Sequence, residues 1–541
     1  MASTKNQASV ETGLHRAKMW EIGMYALNNT STNLYMTLVG YISYYLIGIV
    51  GVGVVLAGSF ITLMRVWDGV TDPIVGMMVD KTNTKFGKNR PYILLGNVIL
   101  FTTTWLMFHI VPSLGQSMRF PVFIAIYLVY ILGYTAQCVV TKSAQTCLTN
   151  DPKQRPVFSM FDSIYNLFSM SVIVPLYMSG TLIPRYTLNM TEHADQINAL
   201  IEKNPALANT LEEVNGVVSL SGLYNPHMFQ HLHLIIAGIA AVFAICAIIA
   251  LWRKDRPEYF GTGTAQKITI RDYADVLAHN RAIQMLVVSA SSDKLSLTMQ
   301  TNATVMACVF GVICGNYAYF GSQSALSSIP IAIISLVGIG KVARHMGQRQ
   351  CLIFGTVGAL ASAAGMLCLF LFGTPTSMAL PAFSLTKVST WGNLFVPSNW
   401  SMFGILYILL WIAMKGFSGI ASSIVIPMTA DCADYEVYRS GKYVPGLMGT
   451  LFSFVDKIIS SFATTFVSVM FAAIGFSQAL PTQNTPYSTG IFWITMACLL
   501  GAPTIGWILN LVSMKFYPLT KEKMEEIQDR IAEIKAQAMK G

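Results

Sequence analysis

The sequence contains few charged residues. Asp, Glu, Lys and Arg together make up 11% of the 541 residues, whereas a soluble domain carries about 25%. Apolar residues account for 53% of the chain, and the mean hydropathy is +0.53. A chain of this composition has too little polar surface to cover itself in water, which excludes an ordinary soluble protein.

The chain also lacks the short motifs of common catalytic sites. It has no Walker A sequence, no GxSxG and no kinase loop, and the histidines of "HMFQHLHL" lack the Glu of HExxH. The nine cysteines form no CxxC pair, and four of them lie within apolar runs: Cys138, Cys147, Cys246 and Cys308. We therefore expect no enzyme, no disulfide or zinc framework, and no cofactor.

What the chain does contain is a series of apolar runs of about 20 residues, the length that crosses a bilayer as a helix. Twelve such runs recur from end to end. They begin near Ala17, Val52, Pro91, Pro121, Val157, His227, Arg281, Ser322, Cys351, Asn399, Gly446 and Thr489. The sequence predicts an all-α polytopic membrane protein with twelve transmembrane helices in the lipid bilayer.

The net charge of +9 reflects membrane topology and does not indicate nucleic acid binding. Lys and Arg cluster in alternate loops, such as 81–90 and 253–256, while loops such as "GVICGNYAYFGSQ" carry none. Short basic loops mark the cytoplasmic side. The first residues, "MASTKNQASVETGLHRAKMW", have no apolar core of a signal peptide. We expect a multi-pass plasma (inner) membrane protein, monomeric, with both termini in the cytoplasm.

Two departures from short loops divide the chain. A polar insertion at 184–226 is expected on the external side, within an N-terminal six-helix bundle at 1–252. A cytoplasmic connector at 253–280 leads to a C-terminal six-helix bundle at 281–519. Apolar residues at spacings of three and four then predict a cytoplasmic amphipathic tail helix at 520–541.

Two carboxylates interrupt the second apolar run, in "RVWDGVTDPIVGMMVDKTNTKFGKNRP". Asp68 and Asp72 are four residues apart and share one helix face. An ionised carboxylate at the centre of a membrane helix costs about 2.5–3.5 kcal/mol, so such residues face a cavity, a partner or an ion. With Thr71 beside them, they can form an oxygen site for a hard cation such as Na⁺, or share a proton. An interhelical ion pair is the alternative.

Two motifs carry a family resemblance. "DGVTDPIVGMMVDKTNTKFGKNRPYIL" and the later "ADCADYEVYRSGK" with "FSFVDKIISS" resemble the glycoside–pentoside–hexuronide:cation symporters, the group within the major facilitator superfamily that includes melibiose permease. The likeness extends loosely over all twelve spans. It implies the major facilitator fold, two six-helix bundles, and cation-coupled symport of a glycoside, oligosaccharide or hexuronide.

The resemblance also implies a site for the coupling ion, Na⁺, Li⁺ or H⁺. Four residues match the family's ion ligands: Asp68, Thr71, Asp72 and Thr135. Lys457 matches a family lysine near the ion and sugar sites, and its ammonium is expected to pair with Asp68 or Asp72 when the ion leaves. A salt bridge to the neighbouring Asp456 is the alternative.

The substrate positions depart from the family pattern. Sugar-binding members often carry aspartates where this chain has Asn28 and Cys138; an amide can bond a sugar hydroxyl, but a thiol is a poor substitute. Lys142 can bind the carboxylate of an acidic sugar or form an internal ion pair with Asp162. Lys294 and Lys415 can likewise bind a substrate carboxylate or form internal ion pairs. Tyr134 can stack on a sugar ring. The expected substrate residues are Asn28, Tyr134, Cys138, Lys142 and Lys457.

Two charged clusters are expected to form interdomain salt bridges on the cytoplasmic side when the protein opens outward. They comprise Asp80, Lys85 and Arg90 in one half, and Asp431, Asp434 and Arg439 in the other. Exposed ion pairs contribute only about 0–1 kcal/mol each, which suits a gate that must open.

The function predicted is secondary active transport of a small glycoside or acidic sugar by alternating access. Two alternatives remain open. In an uncoupled or exchange-type carrier, the carboxylates would only brace the helices. In a non-transporting sensor, the transporter fold would serve as a receptor.

Overall fold

The computed structural model describes residues 16–82, 84–149, 154–214, 216–256, 278–338, 342, 344–383, 386, 388–440, 445–520, 522–527 and 529–530. The chain divides into two compact units. The N-terminal unit comprises Met1–Thr264, Ser384–Thr386 and Phe476–Pro486, and the C-terminal unit comprises the rest. Each unit is built mainly from long apolar helices.

In the described part of the N-terminal unit, six helices correspond to the first six apolar runs. They are α1 Met19–Gly40, α2 Val54–Lys81, α3 Arg90–Trp105, α4 Gln116–Ser143, α5 Arg155–Asn166 and α6 Pro226–Leu251. α1 bends by 43° into a second helical segment, Ile42–Val50. α5 continues through π-helical turns, so that the apolar span covers Val157–Tyr186.

The sequence of α6 explains both where this helix begins and which of its faces packs against a neighbouring helix. Pro226 occupies the first helical position, and the Asn225 side chain accepts a hydrogen bond from the backbone N of His227. Small residues that let backbones approach closely are buried along the helix: Ala237, Ala240, Ala244 and Ala247. α6 packs there against α1, and Ser31 Oγ donates to the Ala240 carbonyl at 3.1 Å.

In the described part of the C-terminal unit, six further helices correspond to the later apolar runs. They are α7 Arg281–Gln300, α8 Ala318–Gly338, α9 Gln348–Phe372, α10 Met402–Ser440, α11 Pro445–Ala473 and α12 Thr489–Met496. α7 bends by 44° into Ala303–Ile313, and α12 continues to Phe516. The Asn280 side chain caps α7 by accepting from the backbone N of Ile283.

The predicted helical membrane fold is confirmed. Within the described residues, nine helices are long and apolar enough to cross a bilayer, and counting each bent pair as one span gives eleven. The run predicted to begin near Gly446 lies in α11, whose apolar described part, Lys457–Ala473, is shorter. The twelfth span therefore stays a prediction.

The insertion at 184–226 is folded. It contains the helix Met190–Lys203 and three short antiparallel strands, in the order β1–β3–β2: β1 Leu188–Asn189, β2 Leu211–Val214 and β3 Val217–Leu220. Leu220 pairs with Leu188 on one side and Leu211 on the other. The sequence predicted a polar insertion here but no sheet.

Parts of the connector and of the tail lie outside the described residues, at 257–277 and 531–541. The described start of the tail, 522–527, is helical. Ile527 is fully buried there, in an apolar cluster that includes Met514 and Tyr517 of the C-terminal unit. The apolar face of the tail thus packs on this unit.

Arg119, near the start of α4, joins several segments of the N-terminal unit. The buried guanidinium donates five hydrogen bonds, at 2.7–3.0 Å. The acceptors are the carbonyls of Ile49, Pro112, Leu114 and Lys203 and the side-chain oxygen of Asn204. One side chain therefore links α1, the α3–α4 turn and the insertion.

We predict that Arg119→Met destabilises the protein by about 3 kcal/mol, because several buried acceptors lose their donor. Thermal unfolding of the detergent-purified protein measures the effect. Arg185→Met is the matched control, since Arg185 is exposed. Equal melting temperatures for the two variants would show that Arg119 does not organise these segments.

Candidate functional site

Three of the four predicted ion ligands meet between α2 and α4. Asp68 is 1% exposed, and its Oδ1 accepts a hydrogen bond from Thr135 Oγ1 at 3.1 Å. Thr71 Oγ1 lies 3.3 Å from Thr135 Oγ1 and 3.0 Å from the Asp68 carbonyl, to which it donates. Asp72 follows Asp68 by one helical turn and is half-buried. The site is built from one carboxylate and two hydroxyl groups, with a second carboxylate beside it.

The structure adds Arg65, which the sequence interpretation missed. Its guanidinium lies 3.4 Å from Asp68 Oδ2, one turn earlier on α2. It also lies 6.0 Å from the centre of the Tyr134 ring. The positive charge of Arg65 thus compensates the buried carboxylate. The signal was present in the sequence, since a base three residues before an acid faces it on a helix.

The groups around Asp68 enclose a narrow pocket. Aromatic and aliphatic side chains line it together with Arg65 and Asp68: Met36, Ile61, Met64, Tyr127, Tyr130, Ile131 and Tyr134. Oxygen ligands in such a setting suit a hard cation or a proton. Among the described residues, no group of three or more His, Cys, Asp or Glu could hold a metal ion.

Asn28, the predicted substrate residue on α1, is fully buried. Its Nδ2 donates to Thr141 Oγ1 at 2.8 Å, while its Oδ1 has no hydrogen-bond partner within the described part of the chain. On α4, Tyr134 and Cys138 lie one turn apart, and both are half-buried. Lys142, one turn further, is exposed.

The structure does not show the alternative ion pair between Lys142 and Asp162, both of which it describes. Asp162 Oδ1 instead accepts from Asn29 Nδ2 at 2.6 Å and from Asn166 Nδ2 at 3.0 Å. Asn33 Nδ2 donates in turn to Asn166 Oδ1 at 2.8 Å. The sequence interpretation missed this amide–carboxylate ladder between α1 and α5, although "NNTSTN" supplies part of its polar groups.

The predicted lysines of the C-terminal unit have different surroundings. Lys457 is half-buried on α11, and the side chain of Asp456 lies outside the described residues. Lys415 donates to Gln300 Oε1, and its ammonium lies 5.0 Å from the centre of the Trp411 ring. Lys294 lies on α7, next to the buried Asp293.

Arg90, one of the predicted gate residues, is buried within the N-terminal unit. Its Nε lies 3.6 Å from Asp255 Oδ2, and its guanidinium lies 4.8 Å and 4.9 Å from the rings of Phe86 and Trp252. Gly87 has φ +110°, and a Cβ there would lie 2.2 Å from Asp255 Oδ2, so the turn requires glycine.

The other predicted gate residues occupy varied positions. Lys85 is exposed, and the Asp80 side chain lies outside the described residues. In the C-terminal unit, Arg439 forms an ion pair with Glu436 at 2.7 Å, and Asp431 and Asp434 are half-buried on α10. Both gate arginines thus have acidic partners within their own unit, and the interdomain salt bridges stay a prediction.

Comparison with known proteins identifies the class of this molecule. Its structure resembles the crystal structure of the nucleoside transporter NupG with a TM-score of 0.57, at 10% sequence identity, over 93% of this chain and 100% of that one. The fold is therefore that of a major facilitator transporter. A family model described as MFS/sugar transport protein matches residues 24–521, and the chain belongs to that family.

Similar sequences confirm the resemblance to the glycoside–pentoside–hexuronide:cation symporters. The chain is 24% identical over 519 residues to a glucuronide carrier protein homolog of Escherichia coli (strain K12), covering 93% of each chain. It is 18% identical over 513 residues to the isoprimeverose transporter of Lactiplantibacillus pentosus, covering 93% of this chain and 90% of that one. The family consists of transporters, not enzymes.

A double-mutant cycle tests whether Arg65 compensates Asp68. We predict that Arg65→Met destabilises the protein by about 3 kcal/mol in Na⁺-free and Li⁺-free buffer, because it leaves a buried carboxylate without its counter-charge. Asp68→Asn in the same chain should restore most of that loss. Thermal unfolding of the wild type, both single variants and the double variant gives the coupling energy. Strictly additive effects would exclude the pairing.

Proposed function

We propose that this protein is a symporter that couples the entry of Na⁺ or H⁺ to the uptake of a glycoside across the plasma membrane. The observation that carries the proposal is the cluster of Asp68, Thr71 and Thr135, buried among membrane helices with Arg65 at the second carboxylate oxygen. A carboxylate in this position is costly unless it has a function or a partner.

The coupling ion and Arg65 compete for Asp68 in this mechanism. Without the ion, the guanidinium compensates the carboxylate; with the ion bound, Arg65 is released towards Tyr134, which it already contacts. Asp72 supplies the second negative charge. Occupation of the ion site changes the preferred conformation of the unit, and a substrate that prefers the same conformation is thereby bound more tightly.

The ladder between α1 and α5 supports a polyhydroxylated substrate. Asp162 is fixed through one oxygen by two amides, which leaves its second oxygen to accept from a hydroxyl group. The Oδ1 of Asn28 offers a further acceptor on α1. Lys142 is exposed, so a carboxylate on the substrate would find a cation there. The relatives named for isoprimeverose and for a glucuronide represent these two substrate types.

Two alternatives predict different behaviour. An uncoupled carrier would exchange the same solutes without an ion gradient, and a sensor would bind them without transport. The requirement for an ion gradient separates the uncoupled carrier from the symporter, and movement of the solute separates the sensor from both.

Uptake into proteoliposomes tests the function. Neutral glycosides and uronic acid conjugates are supplied with an imposed Na⁺ gradient or an imposed H⁺ gradient, each applied alone. We predict accumulation that depends on one gradient and is abolished in Asp72→Asn, with normal membrane insertion of that variant. Normal accumulation by Asp72→Asn would refute the ion site. Exchange that needs no gradient would indicate the uncoupled carrier.

The contribution of Thr135 can be measured separately. Thr135→Val keeps the side-chain shape but removes an oxygen and the hydrogen bond to Asp68, so the half-saturating concentration of the coupling ion should rise about tenfold. Thr104→Val is the matched control, because the Thr104 hydroxyl bonds to backbone carbonyls of its own helix. An unchanged ion dependence in Thr135→Val would remove this residue from the site.

A further inference from the structure

The connector between α11 and α12 belongs to the N-terminal unit, although both helices belong to the C-terminal unit. Residues Phe476–Pro486 of this connector, hereafter the strap, pack on the insertion at 184–226. At its beginning, the Ser477 carbonyl accepts from the backbone N of Val54 at 3.2 Å. The strap is therefore continuous in the chain with helices of one unit and held by non-covalent contacts in the other.

Glu212, on β2 of the insertion, is the acidic anchor of the strap. Its carboxylate accepts hydrogen bonds from the hydroxyls of Thr482 and Thr485 and, at 3.4 Å, from the backbone N of Thr482. Thr482 is fully buried and Thr485 is 9% exposed. Three donors from two strap residues, Thr482 and Thr485, thus converge on one carboxylate, and hydrogen bonds to a charged group are the stronger kind.

Two buried tyrosines hold the other part of the strap. The Tyr224 hydroxyl donates to the Leu480 carbonyl at 2.8 Å and accepts from the Leu480 N at 2.7 Å. The Tyr44 hydroxyl donates to the Pro481 carbonyl at 2.9 Å. The two rings pack edge to face, with centroids 5.2 Å apart. Tyrosines of the insertion and of the helical segment after α1 therefore supply hydrogen-bond partners to backbone groups of the strap, as a neighbouring strand would.

We propose that the insertion is a clasp for the strap, and that the strap leaves the clasp once in every transport cycle. The proposal rests on the proposed function, because symport by alternating access requires the two helical bundles to move against each other. Because the strap continues directly into α11 and α12, movement of these helices against the N-terminal unit strains the contacts at Glu212, Tyr224 and Tyr44. These contacts are hydrogen bonds from neutral donors, so water can replace them when the strap leaves.

A reversible cross-link tests whether release is required. Glu212→Cys and Thr485→Cys are combined and joined by a short bis-methanethiosulfonate reagent, which dithiothreitol removes. We expect the cross-link to abolish glycoside uptake and exchange, and the reductant to restore both. Each single cysteine variant, treated identically, controls for reaction at the nine native cysteines. Wild-type rates in fully cross-linked protein would overturn the proposal.

A labelling measurement separates failure of the clasp from failure of the transport assignment, because it needs no substrate. Leu480→Cys places a thiol at a buried strap position, and Gln478→Cys places one at an exposed position. Mass spectrometry measures their reaction with a membrane-impermeant maleimide. Adding Thr485→Val should speed labelling at position 480 about tenfold, since it removes one hydrogen bond to a charged group, and leave position 478 unchanged. Equal rates at position 480 with and without Thr485→Val would refute the clasp even if no glycoside is transported.

Discussion

The N-terminal unit depends on compensation of the buried charge of Asp68. A carboxylate inside a membrane requires a counter-charge, an ion or a proton. Here Arg65 lies one turn away on the same helix, and Thr135 donates from α4. Because Arg65 and Asp68 share a helix, the proposed exchange of the guanidinium for an ion would require only a side-chain movement. The predicted pairing with Lys457 would require a residue from the C-terminal unit, so it would depend on any movement between the two units.

The same local compensation recurs at other buried charges. Arg90 compensates the buried carboxylate of Asp255, which also accepts a hydrogen bond from the backbone N of Asn89. Arg439 compensates the buried carboxylate of Glu436, three residues earlier on α10. Pairs formed inside one unit stay intact when that unit moves as a body. A transporter that rocks two bundles needs this arrangement, because each break of a buried ion pair would leave an uncompensated charge.

The helical membrane fold could be predicted from the sequence, because the length of the apolar runs and the positive charge of the loops are local signals. The sequence was also sufficient to place Asp68 and Thr71 close together on α2, since helical spacing is fixed. Thr135 required the family resemblance, because no local signal shows which residue of α4 faces α2. Arg65 was missed for another reason: its spacing to Asp68 was visible, but helical spacing alone does not show which of its neighbours a long basic side chain contacts.

The sheet of the insertion and its contacts with the strap could not be predicted from the sequence, because the residues in contact are far apart along the chain. β1 to β3 have two to four residues each, too few for a periodic pattern, and β3 exists only because two other segments pair with it. Glu212 and Thr485 are separated by 273 positions. Threonine donors around a carboxylate form a specific contact with no fixed positive charge, so separation leaves one solvated carboxylate and neutral hydroxyls. A lysine in place of a threonine would hold the strap more tightly and would make its release slower.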